Sequence, residues 1–130
     1  MRLFIAALVA ITPLMHSAAA MAADFGAPGT TWTLVELNGA PFTARATLSI
    51  DKDGRVSGQA PCNRFTSSNS VTHSNFDTGP IAATRMACPD LDAEEVFFTA
   101  LNAMNTVDVQ GDTLILRHDA DGEMMFKASE

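Results

Sequence analysis

Turn-forming clusters cut this chain into runs too short for long helices, and that punctuation restricts the fold more than any other feature. Asn38-Gly39, Asp51-Lys52-Asp53-Gly54, Asp77-Thr78-Gly79-Pro80, Gln110-Gly111-Asp112 and Asp119-Ala120-Asp121-Gly122 all combine residues that accept turn geometry. Trp32, Leu34 and Leu37 lie among β-branched neighbours in a run that stops at Asn38-Gly39, a strong hairpin signal. Ala44 to Ile50 alternates small or polar residues with Leu48 and Ile50, and the turn after it leads into Arg55 to Ala60, which predicts a hairpin. Val107-Asp108-Val109 and Thr113 to His118 predict another pair of strands, with Glu123 to Ala128 to follow. Val71 to Phe76 and Ile81 to Met86 read as short extended pieces. The polar stretch Thr66-Ser67-Ser68-Asn69-Ser70 reads as a loop.

One segment has helical spacing, from Leu91 or Asp92 to about Met104. Ala93, Phe97, Ala100, Leu101 and Met104 fall on one face. Asp92 with Glu95 three residues later resembles a capping pair, in which side-chain oxygens satisfy free amide donors. Strands before and after a single helix indicate an α+β domain, a small antiparallel sheet with one helix covering part of its core.

The first 22 residues read differently. Met1-Arg2 gives a positive start, and Leu3 to Ile11 is uninterrupted and apolar. Thr12-Pro13 breaks any continuing helix, and small residues lead to Ala20-Met21-Ala22. That order is a secretory signal with a cut after Ala22, a cut after Ala20 being the alternative. The apolar run is far shorter than the roughly 20 residues a membrane span needs. No cysteine near the cut can carry a lipid, so a periplasmic or secreted product without a stable membrane anchor is expected. Residues 23–29, with Gly26, Pro28 and Gly29, read as a flexible lead-in, and residues 30–128 as one domain.

Of eight basic residues only Arg2 lies in the leader, while all fifteen acids follow it, so removing the leader takes the net charge from −7 to −8. Such a balance repels phosphate backbones and anionic lipid heads, which argues against nucleic acid as a partner. Solubility alone also accounts for it.

Trp32-Thr33-Leu34, Asn38-Gly39, Cys62-Asn63-Arg64-Phe65, Thr84-Arg85-Met86-Ala87-Cys88-Pro89 and Gly111-Asp112-Thr113-Leu114 together resemble the META domain family, which includes HslJ-like heat-inducible envelope proteins. The resemblance runs from about Thr30 to Phe126 with the motifs in the family's order. It implies a small, incomplete β-barrel packed with a helix, and no established enzymatic activity. Proteins of this kind have been linked to heat stress and novobiocin tolerance, and some resemble pilot lipoproteins that bind a partner's peptide tail and lipid. One departure is Pro61, where the family usually has glycine before the first cysteine.

In an exported chain, and with those motifs, Cys62 and Cys88 are expected to form a disulfide. Free thiols, catalysis and metal binding are the alternatives. There is no C-x-x-C, and His73 and His118 lie in unrelated segments that read as solvent-facing strands, so neither redox chemistry nor a metal site has its usual spacing. No cofactor motif is present.

Asn63, Arg64, Thr84 and Arg85 flank the two cysteines and would be brought together by the bond. Either they tie loops by hydrogen bonds or they form a surface for an acidic group. Asp90, Asp92, Glu94 and Glu95 read as helix-start acids that favour the dipole rather than as a carboxylate pair. Asp51, Asp53 and Gly54 are faintly similar to a calcium loop that lacks its later ligands. Ser67, Ser68 and Ser70 have no G-x-S-x-G context. Met86, Met104, Met124 and Met125 either fill the core or form an adaptable surface.

Two functions follow. The first is a non-catalytic envelope module that binds a protein, peptide or lipid and supports stress or drug tolerance. The second is a small periplasmic hydrolase or redox enzyme with an unrecognised site. An apolar groove lined by Met and Phe and rimmed by the arginines would support the first. On the leader itself, protein recovered by osmotic shock should give an N-terminal sequence starting near Ala23, and intact Met1 in that fraction would overturn the cleavage reading.

Overall fold

The computed structural model describes residues 29–72, 74–119 and 122–129. The leader, most of the lead-in and His73 lie outside the described residues. The described chain is α+β, with nine strands and one helix. In chain order the elements are β1 (Thr31–Leu37), β2 (Ala40–Pro41), β3 (Thr47–Ile50), β4 (Arg55–Gln59), β5 (Arg64–Ser70), β6 (Ile81–Ala83), α1 (Leu91–Ala103), β7 (Thr106–Gln110), β8 (Thr113–Arg117) and β9 (Glu123–Ser129). All neighbours pair antiparallel, in the order β6-β5-β4-β3-β1-β9-β8-β7, with β2 beside β1. The sheet does not close into a barrel, and α1 is the connection from one edge strand, β6, to the other, β7.

Alternation explains which side of each strand is buried. Trp32 and Leu34, Leu48 and Ile50, Leu114 and Leu116, and Met124 and Phe126 all face the core, two residues apart. Leu37 breaks this period, being three residues after Leu34. A register shift between Leu34 and Glu36 supplies the reason: Leu34 pairs with Phe126, and Leu37 then pairs with Met124. The extra residue of this bulge rephases the strand, so Leu37 also packs against the core. The Val35 carbonyl accepts the Phe42 N–H at 3.0 Å. At the end of the strand Asn38 (φ 52°) and Gly39 (φ 80°) both adopt the left-handed conformation that a tight hairpin turn requires.

The stretch 66–70, expected as a loop, is the greater part of β5. Its polarity misleads because a central position satisfies it: β5 pairs with β4 on one side and β6 on the other. Buried Ser67 accepts the Val56 N–H through Oγ at 3.0 Å and donates to the Asn69 carbonyl. Conversely, the expected strand from Val71 to Phe76 reduces to single bridges, Thr72 with Asn75 and Asn75 with Thr106. This segment spans the gap between the two halves of the sheet. Ser68 and Asn69 donate to the Thr78 carbonyl on the β5 side, and Phe76 donates to Asn105 on the β7 side. Phe76 itself is fully buried.

The Asp51 carboxylate accepts the backbone N–H groups of Asp53 and Arg55, each at 2.9 Å, so its role is to close the β3–β4 turn. Gly54 (φ +84°) lies where a Cβ would meet the Val71 carbonyl oxygen at 2.2 Å. Of the four methionines singled out, Met104 and Met124 are buried, Met125 is half-buried on the opposite face of β9, and Met86 is 66% exposed.

The helix starts one residue before Asp92, at Leu91, with Asp90 as its N-cap residue and no side-chain cap bond. The Asp92–Glu95 capping pair is therefore not formed. The cause is upstream: Asp90 N–H donates to the Cys88 sulfur and Leu91 N–H to the Cys88 carbonyl, which fixes the helix start. Phe97 anchors the packing, its ring lying 5.6 Å from both Phe65 and Phe98 and 6.4 Å from Phe42. Truncating this fully buried ring removes its contacts to Phe65 of β5, to Phe42 just after β2 and to Phe98 of the same helix. Phe97→Ala should cost about 3–5 kcal/mol, read as a lower melting temperature, and an unchanged melt would show that α1 is not packed through this face.

Candidate functional site

Cys62 and Cys88 are bonded, with their Cα atoms 5.7 Å apart. Pro61, in place of the family's glycine, does not prevent the closure. Beside the bond lies a polar knot built on Asn63 and Glu94, both buried. One Glu94 oxygen, Oε1, accepts the backbone N–H of Cys62 at 3.0 Å and of Asn63 at 2.7 Å. The other, Oε2, accepts the Asn63 side-chain amide at 2.6 Å. That amide also donates to the Met86 carbonyl, and Asn63 Oδ1 accepts from Thr84 Oγ1 at 3.0 Å and Met86 N–H at 2.6 Å. The turn before β5, the irregular segment after β6 and the first turns of α1 are thus joined through two side chains.

Of the four flanking residues, the structure ties Asn63 and Thr84 together and leaves the arginines out of the knot. Arg64 takes part only by its backbone, donating to Thr84 Oγ1 and accepting from Thr84 N–H. Its side chain and that of Arg85 are exposed. Arg85 borders a shallow depression of about 340 Å³ over the knot, with Met86 and Leu91 beside it.

Glu94 was grouped with the surface acids of the helix start, and the structure separates it from them. A signal for this was present: 94, 97, 98 and 101 recur at helical spacing, so Glu94 continues the Phe97–Leu101 stripe by one turn. A carboxylate on an apolar stripe needs an internal partner. Ser67 and Ser68, weighed as nucleophiles, are bonded to backbone carbonyls of Asn69 and Pro80. Among the described residues no three His, Cys, Asp or Glu side chains converge as a metal site would need.

A second stripe of α1 was missed altogether. Asp92, Glu95, Val96, Thr99, Ala100 and Ala103 form one wall of a trough of about 630 Å³, within the range of ligand pockets. The facing wall is Leu37, placed there by the bulge in β1, with Asn38, His118 and Gly122, and Met104 completes the lining. The turn is pinned, since Asn38 N–H donates to the Glu123 carbonyl at 2.8 Å and Asn38 Oδ1 accepts Glu123 N–H at 2.9 Å. His118 follows β8 instead of lying within a strand. Val96, half exposed, stands in the wall. The groove expected to carry phenylalanines and an arginine rim instead carries small aliphatic residues and Met104, with carboxylates at one end. No periodicity could reveal it, because its far wall comes from turns distant in sequence.

The disulfide and the Glu94 knot hold the same turn against the same helix start, so their losses should not add. Reduction should lower stability by about 3.5 kcal/mol on the chain-entropy estimate for a loop of this length. Glu94→Gln should cost about 1–3 kcal/mol, since the new amide faces the Asn63 amide, donor against donor. Melts of both proteins, oxidised and reduced, check this. Costs that add within about 0.5 kcal/mol would show that the two ties act independently.

Comparison with known proteins places this geometry. An NMR structure of a protein from Burkholderia xenovorans is similar to it with a TM-score of 0.63 and 24% identity, covering 78% of this chain and 83% of that one. A second protein solved by NMR is similar with a TM-score of 0.59 and 24% identity, covering 75% of this chain and 87% of its own. At that identity the likeness is one of fold. No curated protein sequence matches the chain. The META domain model matches residues 24–130, a span that holds the disulfide, the knot and the trough, and the chain belongs to the META domain family.

Proposed function

We propose that this protein is a non-catalytic module of the periplasm or cell exterior that binds a partner in the trough between α1 and the β1–β2 turn, and that stress or drug tolerance follows from that binding. The observation that carries the reading is the trough itself, a largely apolar concavity with carboxylates at one end. Val96, 51% exposed, adds a large aliphatic side chain to the wall of that concavity.

Placement outside the cytoplasm is supported by the leader and by the disulfide, a bond that persists in oxidising compartments. A rigid frame is supported by the disulfide and the Glu94 knot, which hold the start of α1, and by the pinned Asn38 turn on the facing wall. Such pre-organisation lowers the entropy lost on binding.

A photo-crosslinking residue at position 96, introduced in the producing cell, should yield a discrete adduct. The same residue at Asp108, exposed on β7, should not. Equal labelling from both positions, or none from position 96, would count against the trough as the binding surface.

A further inference from the structure

The charge and shape of the trough bear on what enters it. Its wall on α1 runs from Asp92 to Ala103, and the eleven helical steps between them rise about 17 Å. Along that length it is open to solvent, a form that suits an extended or helical peptide laid lengthwise. Apolar groups gather toward one end, with Ala100, Ala103 and Met104 facing Leu37. The other end carries Asp92 and Glu95, nearly one turn apart and both exposed.

Among the described residues no lysine or arginine lines the trough; His118 stands on the facing wall. The basic residue nearest in sequence, Arg117, is paired with Glu123 at 3.4 Å. The amino-terminal end of α1 contributes about half a positive charge, which does not cancel two carboxylates. The whole chain adds to this field with its net charge of −7.

We infer that the occupant is a basic amphipathic peptide segment of a partner protein, with its lysine or arginine at the Asp92–Glu95 end and its apolar side chains toward Met104 and Leu37. This rests on the trough being the binding surface. An acidic segment brings like charges together at that end, and an uncharged one forgoes the attraction.

Three peptides of about twelve residues test it, identical in their apolar positions and differing only in carrying Lys, Gln or Glu at the polar ones. Binding to the purified protein is read by fluorescence anisotropy at low salt. The Lys peptide should bind about tenfold more tightly than the Glu peptide, and the preference should shrink toward unity near 1 M salt. Asp92→Asn with Glu95→Gln should bring the three affinities within about twofold, with only the small fall in melting temperature that losing two helix-start acids entails. Val96→Gln, also at an exposed position, should weaken all three.

If the peptides bind equally, or the preference survives in the double variant or at high salt, the charge inference is overturned, while sensitivity to Val96→Gln keeps the trough as the binding surface. If none binds, or Val96→Gln changes nothing, the trough reading falls with it.

Discussion

The buried carboxylate of Glu94 is the interaction on which the rest of the arrangement depends. A buried charge is tolerated only when it is fully hydrogen-bonded, and here three N–H donors meet it, two from the backbone at Cys62 and Asn63 and one from the Asn63 side chain. Helix α1 is sequence-distant from the β4–β5 turn, so this contact fixes how the helix sits against the sheet. The aromatic cluster one turn later is set by that position, since Phe97 and Phe98 both reach Phe65 just beyond Asn63. The covalent bond beside it constrains the same two segments. A polar knot specifies one geometry where apolar packing alone tolerates several.

Much of the fold was legible because local physics and tertiary structure agree. Asn38-Gly39 had to turn, Leu48, Val56, Leu114 and Leu116 alternate as half-buried strands do, and the helix from Leu91 had apolar spacing that no strand offers. The polar β5 was not legible, because its serines and threonine are satisfied by strands on both sides, a tertiary effect invisible from composition. Nor did the start of α1 show in its capping residues, as the cysteine bridge decides it. Within the site, the neighbours of the cysteines could be named, yet which of them would be structural could not. Asn63 is buried and Thr84, though exposed, bonds to it through its hydroxyl, while the side chains of Arg64 and Arg85 stay in solvent.

The trough illustrates how a β-bulge can create surface as well as bend and twist a strand. Were Val35 paired like every other residue of the strand, Leu37, three residues after Leu34, would fall on the other side of the sheet, and the wall opposite Val96 would lose its aliphatic group. Asn38 then holds that wall to β9. A one-residue irregularity in β1 thus determines whether the exposed stripe of α1 faces a concavity or open solvent.

The strand order has a consequence for how such a chain reaches its native state. β1 and β9 are partners in the middle of the sheet, with Thr31 opposite Ser129 and Thr33 bonded to Ser129 through their hydroxyls. The first strand made therefore waits for the last one, and one long edge of β1 stays unpaired until the final residues arrive. Contacts of this sequence separation slow folding relative to local hairpins. The sheet therefore cannot be completed at its centre until β9 is free to join it, and the hairpins on either side form before the two halves are stitched together.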